Sequence, residues 1–263
     1  MARERARRVG PPRYTPGKGG RGKPGVTVYG RRAVLDAFEA PGVVVEHVWV
    51  SHDVPNSLRK ELFVRCAQAN AQWSETDARV VHAVSDDPRH DQGLAANVRL
   101  ALVRPVNDLV REQPARARVL ALDDVTNPQN VGMIVRSAVA AGMDGLLWPT
   151  DGTPWVSGLI IKSSAATVYR CPIWTCETLG GGLDALRAGG WRVYGLAGEG
   201  KSDLFSLDIE DRGVFVMGAE TTGVGKDAGA RVDRWVSIPM ENGVESLNVA
   251  VAASLVAFHA AKS

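Results

Sequence analysis

Three short polar stretches of this chain carry side chains able to do chemistry. The first is Asn127-Pro128-Gln129-Asn130-Val131-Gly132, with Arg136 six residues beyond Asn130. Arg136, among Val131, Ile134, Val135 and Ala138 of a largely apolar helix, is either a surface charge or a paired, functional one. Six residues do not return to one helical face, and Asn130 is equally the type that caps a helix start. The second is Gly218-Ala219-Glu220-Thr221-Thr222-Gly223, a carboxylate between glycines that let backbone approach a ligand closely. The third is Ser237-Ile238-Pro239-Met240, then Gly243-Val244-Glu245-Ser246-Leu247-Asn248. Ser246 and Asn248 offer polar side chains beside free amides at a helix start. The bland alternative makes Ser246 the N-cap and Asn248 a solvent-facing residue of the first turn.

None of these is a nucleotide loop. Gly225-Lys226 is followed by Asp227, and Glu220 stands where a P-loop needs its first glycine. Gly17-Lys18-Gly19-Gly20-Arg21-Gly22 fits G-x-G-x-x-G, but no strand precedes it and no helix follows.

The elements that must position these stretches alternate. Hydrophobic periodicity predicts strands at Val119–Leu122, Gly145–Trp148, Trp191–Leu196, Val214–Met217 and Trp235–Ile238. Helices are predicted at Val131–Ala141, about Trp155–Lys162, around Leu183–Ala188 and at Leu247–Ala260. This alternation implies an α/β fold with a mostly parallel sheet covered on both faces. All three polar stretches follow strand ends, where such sheets bind ligands. Upstream, a small α/β domain is expected over residues 26–103, with a strand at Val43–Val50, a helix carrying Leu58, Leu62, Phe63, Cys66 and Ala67, a helix end at Val80–Val84 and a strand at Val98–Val103. Residues 104–117, with two prolines and little periodicity, read as a linker, leaving 118–263 as the second domain.

With 45% apolar and 23% charged residues, the composition is globular, which excludes wholesale disorder. No apolar run approaches about 18 residues, so no membrane-spanning helix is expected. The basic N-terminus has no apolar run behind it and does not read as a secretory signal. The three cysteines, with no His near Cys171 or Cys176, suggest reduced cytosolic thiols and no metal set. Residues 1–25 carry eight Lys or Arg against Glu4 alone, so a net charge of +2 divides into +7 on this segment and −5 on the rest. Rich in Gly and Pro, the segment is expected to be a mobile, disordered basic arm suited to phosphate contacts with a nucleic acid, unless it merely solubilises the chain.

Taken together and in this order, the motifs resemble those of the SpoU/TrmH family of RNA ribose 2′-O-methyltransferases. The first matches N-x-x-N-x-G-x-x-x-R-[ST]-A, the second G-x-E-x-x-G, and the third S-I-P-M followed by S-L-N. The resemblance covers about residues 118–260 closely. Val28-Tyr29-Gly30 and the following helix look like the start of the L30e-like substrate domain of the rRNA-methylating branch. The chain departs from the family at His90-Asp91-Gln92-Gly93, where many relatives read His-Gln-Gly without interruption. It departs again at Ser163-Ser164-Ala165-Ala166, where relatives often read Ser-x-Gly-Ala.

The resemblance implies a methyltransferase domain ending in a deep trefoil knot, against the general rule that chains avoid knots. It implies S-adenosylmethionine held against Leu196, Gly218, Ile238, Met240 and Leu247, with no metal. Arg136, Asn130, Glu220, Ser246 and Asn248 fall on the family's catalytic positions. A homodimer acting on RNA in the cytoplasm is implied, with 23S rRNA, at a guanosine, favoured over tRNA because of the extra N-terminal domain. A tRNA 2′-O-methyltransferase and a non-catalytic RNA-binding protein are the alternatives. Holding a guanidine neutral at pH 7 costs about 7 kcal/mol. Arg136 therefore suits phosphate binding and alkoxide stabilisation better than proton abstraction, leaving Glu220 to orient the network or take the proton.

Overall fold

The computed structural model describes residues 25–262. Nearly all of the segment expected to form a basic arm lies outside the described residues.

Two compact units form. Among the described residues the first comprises 25–39 together with 43–99. It holds β1 (Gly25–Tyr29), α1 (Arg31–Glu39), β2 (Val43–Ser51), α2 (Asn56–Ala69), β3 (Gln72–Thr76), α3 (Ala78–Ser85) and β4 (Leu94–Leu100). The strands lie in the order β1-β4-β2-β3, with β1 antiparallel to β4 and β2 parallel to β3. Leu58, Leu62 and Cys66 recur at helical spacing and are the buried face of α2. The loop before β4 is pinned by Asp91, which is 1% exposed. Its carboxylate bonds to His82 Nδ1 at 2.7 Å and accepts from Ser85 Oγ at 2.8 Å and from the Gly93 amide at 2.9 Å. The residue that interrupts the family's His-Gln-Gly is thus the fastening of its loop.

The second unit comprises residues 40–42 and 100–262. In chain order it runs β5 (Val103–Pro105), α4 (Val106–Glu112), β6 (Ala117–Leu122), α5 (Pro128–Ala141), β7 (Leu146–Pro149), α6 (Gly158–Ser163), a 3-10 turn (Thr167–Arg170), β8 (Ile173–Cys176), α7 (Leu179–Ala188), β9 (Arg192–Leu196), β10 (Ser202–Asp203), β11 (Arg212–Met217), α8 (Lys226–Gly229), β12 (Arg234–Ser237) and α9 (Val249–Ala260). Eight strands pair in the order β10-β12-β9-β11-β6-β7-β8-β5, every pair parallel. All six residues of β6 are buried, as a central strand covered on both faces requires. Val119, Ala121, Val214 and Val216 alternate onto one face, against α4, α7 and α8. The other face is covered by α5 with α6 and α9 packed on it.

The structure corrects several expectations. Residues 104–117 are not a linker: most of them form β5 and α4, whose Val106 and Leu109 enter the core of the second unit. Pro105 breaks no helix because it precedes the first turn, and two apolar residues three apart were too short a pattern to read. The strand expected at Val98–Val103 is two strands, β4 and β5. The final helix begins at Val249 because Asn248 takes the N-cap, not Ser246. The second helix begins at Gly158, capped by Ser157, while Trp155 packs edge-on against Trp148 in the preceding loop. Strands β3, β8 and β10 were not expected: they are short, and β3 and β10 are largely polar.

Candidate active site

Each polar stretch is placed by local chemistry. Asn127 caps α5, its side chain accepting from the Gln129 amide at 2.9 Å, with Pro128 in the first turn. Asn130 is thereby released from capping and turns inward, 4% exposed. Gly132 brings α5 onto α6: a Cβ there would stand 1.9 Å from Ser163 Oγ and 2.8 Å from the Ile160 carbonyl. Residues after Ser163 turn through Ala165 and Ala166, both at positive φ (50° and 61°), where relatives often place one glycine.

The loop after β11 folds on itself. The Gly223 amide donates to the Ala219 carbonyl at 2.9 Å, and Gly223 has φ +64°. A Cβ on Gly218 would lie 2.1 Å from the backbone of Gly223. These glycines serve the loop's own closure rather than approach to a ligand, and Glu220 projects from it. Asp123, at the end of β6, braces the loop's far side by accepting from the Gly225 amide at 2.6 Å. Burial pushes the Asp123 carboxyl above its usual range, and Asp124 and Asp227 add to the rise against the opposing pull of the Gly225 amide.

The three stretches meet. Asn130 Nδ2 donates to Glu220 Oε1 at 2.6 Å. Asn248 Nδ2 donates to the same oxygen and to Asn130 Oδ1 at 3.3 Å. Asn248 Oδ1 meanwhile accepts from the Ala250 amide at 2.9 Å, capping α9. One carboxylate oxygen is therefore held by two amides, while Oε2 has no partner among the described residues. This arrangement fixes Glu220 and leaves an acceptor facing out.

Leu196, Gly218, Ile238, Met240 and Leu247 all line one crevice at the carboxyl ends of β9, β11 and β12. Glu220 and Ser246 also line it, and Ser246 makes no hydrogen bond among the described residues. Sequence reasoning missed Glu245, Gly198 and Val249 there, although Gly198 and Glu245 flank residues it selected. It also missed Asp123, whose position at a strand end was the available signal. The crevice wall is apolar apart from backbone, Ser246 and two carboxylates; among the described residues no Lys, Arg or His lines it. Such a wall offers apolar contact and negative charge, and no cationic side chain to neutralise a polyphosphate. Arg136 is not brought to this group. It is exposed on α5, about 9 Å along the axis from Asn130, without a hydrogen bond or ion pair among the described residues.

The fold and site define an α/β protein whose parallel sheet presents a largely apolar crevice beside an amide-held carboxylate. The chain belongs to the SpoU rRNA Methylase family, whose model matches residues 117–258. It is 31% identical, over 89% of its length and 95% of the relative's, to the 23S rRNA (guanosine-2′-O-)-methyltransferase RlmB of Xanthomonas axonopodis pv. citri. Among solved structures it resembles an AdoMet-bound rRNA methyltransferase from Sinorhizobium meliloti (TM-score 0.73, 21% identity, 90% of this chain and 87% of that one). It also resembles the SpoU methyltransferase AviRb from Streptomyces viridochromogenes (TM-score 0.72, 24% identity, 90% and 89%). These likenesses show the fold.

Proposed function

We propose that this protein transfers a methyl group from S-adenosylmethionine to a ribose 2′-hydroxyl of 23S rRNA, at a guanosine. The observation that carries this reading is the meeting of Asn130, Glu220 and Asn248 at a crevice free of cationic side chains. The RlmB relatives, matched over nearly the whole chain, support the choice of RNA and base.

Leu196, Gly218, Ile238, Met240 and Leu247 would hold the cofactor, the apolar side chains against its flat parts. The donor set fits, since the two carboxylates suit a ligand bearing positive charge and no phosphate. When bound, the cofactor supplies an activated methyl on a sulfonium that departs as a neutral thioether. Glu220, fixed through Oε1, uses Oε2 to orient the 2′-hydroxyl and take its proton, directly or through one water. Asn130 and Asn248 hold that carboxylate, and Ser246 positions the ribose. Arg136 binds the neighbouring phosphate and stabilises the developing alkoxide.

Because Arg136 lies outside the network of its own chain, we place it beside a homodimer boundary. Exposed Met133 on α5, with Val251 and Phe258 on the all-round apolar α9, supports an interface there. The non-sequential order β12-β9-β11 and the docking of α9 on α5 support a trefoil knot in the domain of residues 118–263. Residues 26–103 are read as an L30e-like substrate domain, the basic segment as an RNA-binding arm, and the site of action as the cytoplasm.

The test is transfer of labelled methyl from S-adenosylmethionine to an unmodified 23S rRNA transcript, followed by nuclease digestion and mass spectrometry. One 2′-O-methylguanosine is expected. Label on a base, or on tRNA but not the transcript, would overturn the reading.

A further inference from the structure

The two helix layers of the second unit differ in charge in a way the catalytic site does not explain. The layer of α4, α7 and α8 carries Asp108, Glu112, Asp184 and Asp227 beside Arg111, Arg187 and Lys226, so acids and bases nearly balance there. The layer of α5, α6, the 3-10 turn and α9 carries no carboxylate at all. Residues 125–143 contain Arg136 as their only charged residue, and residues 152–176 contain only Lys162 and Arg170.

These three cations are exposed, and none has an ion pair among the described residues. Other arginines are paired, as Arg99 with Glu46, Arg187 with Asp233 and Arg231 with Asp184, while exposed Arg31, Arg79, Arg89, Arg116 and Arg234 also stand without an ion pair among the described residues, so the distinction of the three lies in the lack of any carboxylate on their own layer. The three lie on elements that pack on one another. Arg136 is one helical turn beyond Gly132, the point where α5 meets Ser163, and Lys162 is the neighbour of Ser163. Arg170 ends the 3-10 turn that packs on α5. That turn follows directly from Ala165 and Ala166, whose left-handed backbone is held by bonds from their amides to the Lys162 and Ile161 carbonyls. Unpaired cations on ordered backbone, with no carboxylate on the same elements, attract a polyanion.

We propose that Lys162 and Arg170, continuing from Arg136, form a phosphate track along the α5–α6 layer that seats the RNA strand leading from the modified nucleotide. The partner is an RNA backbone, contacted without base recognition. This rests on the reading of the protein as an RNA methyltransferase.

The full chain is titrated with an unmodified 23S rRNA transcript by filter binding across a salt series. Replacing both residues (K162Q/R170Q) should raise the Kd about tenfold and reduce the salt slope by about 1.5, at roughly 0.7–0.9 per lost phosphate contact. Affinity for S-adenosylmethionine, measured by calorimetry, should be unchanged. K162R/R170K, which keeps both charges, should retain the slope, and R111Q on the opposite layer should leave binding as in wild type. An unchanged slope in K162Q/R170Q overturns the proposal. So does an equal loss in K162R/R170K or in R111Q, or a wild-type chain that does not bind the transcript. Binding needs no turnover, so a wild-type chain that binds with the expected slope yet transfers no methyl overturns the enzymatic reading alone.

Discussion

Asn248 does two jobs with one side chain, and substitution separates them. Its Oδ1 caps α9, while its Nδ2 holds Glu220 and Asn130. Serine caps about as well as asparagine but cannot reach Glu220; alanine does neither. Loss of the cap costs about 1 kcal/mol, a fall of about 2–4 °C in the unfolding of a unit this size. Loss of an amide hydrogen bond to a carboxylate costs about 1.5–3 kcal/mol where that bond matters. If Glu220 must be held for the reaction, this is a rate loss of roughly 10–150-fold. Asn248→Ser should therefore melt within about 1 °C of wild type, and Asn248→Ala about 2–4 °C lower. Both should lose methyl transfer to the same degree, measured as kcat with saturating cofactor and rRNA transcript. A serine variant with wild-type kcat would refute the reasoning, since the cap alone would then account for Asn248. So would an alanine variant far slower than the serine one.

Two further outcomes follow from the packing around the site. Gly132→Ala should destabilise by about 1–3 kcal/mol in urea denaturation, because the new Cβ meets Ser163 Oγ and the Ile160 carbonyl and forces α5 off α6. Asp123 should make stability pH-dependent. Burial raises its folded pKa, so the folded state binds more protons than the unfolded one between about pH 4 and the raised value. Its contribution is fully present below about pH 4 and is lost as pH rises through the folded pKa. Asp123→Asn, which still accepts from the Gly225 amide, should flatten that part of the stability–pH curve; an identical curve would count against the assignment.

How much of this was legible in the sequence depended on the length of each signal. The parallel sheet could be read because β6, β9 and β11 are continuous apolar runs, as strands buried on both faces must be. The five crevice residues came from the resemblance to the family's motifs rather than from periodicity; Leu196, Gly218 and Ile238 sit at or just beyond strand ends, and Leu247 lies just ahead of α9. Helix α4 was lost because seven residues carry too little periodicity to outweigh two prolines and several charges. The capping alternatives weighed for Asn130 and Ser246 fall instead to Asn127 and Asn248, because Asn and Ser at a helix start are interchangeable on paper. Tertiary contact with Glu220 decides which of them turns inward. The role of Gly132 was invisible, since nothing in the sequence announces that Ser163, 31 positions on, will touch it. The isolation of Arg136 from the network was hinted at by its six-residue offset from Asn130 and became definite only in three dimensions.

The network also sets a timetable. Asn130 and Asn248 meet across 118 positions of chain, with Glu220 between them in sequence. As the polypeptide is made from its N-terminus, β6, α5 and β7 are available early, but Glu220 has only one of its two amides to bind until Asn248 emerges. Before that moment β11 can pair with β6 and the loop can close through Gly223, yet the carboxylate remains unfixed and α5 lacks the cover of α9. The pairing of β12 beside β9 and the docking of α9 are both late, long-range events, the kind that pay their loop-closure entropy last. The network is thus completed in one step, when a single asparagine both starts α9 and reaches Glu220.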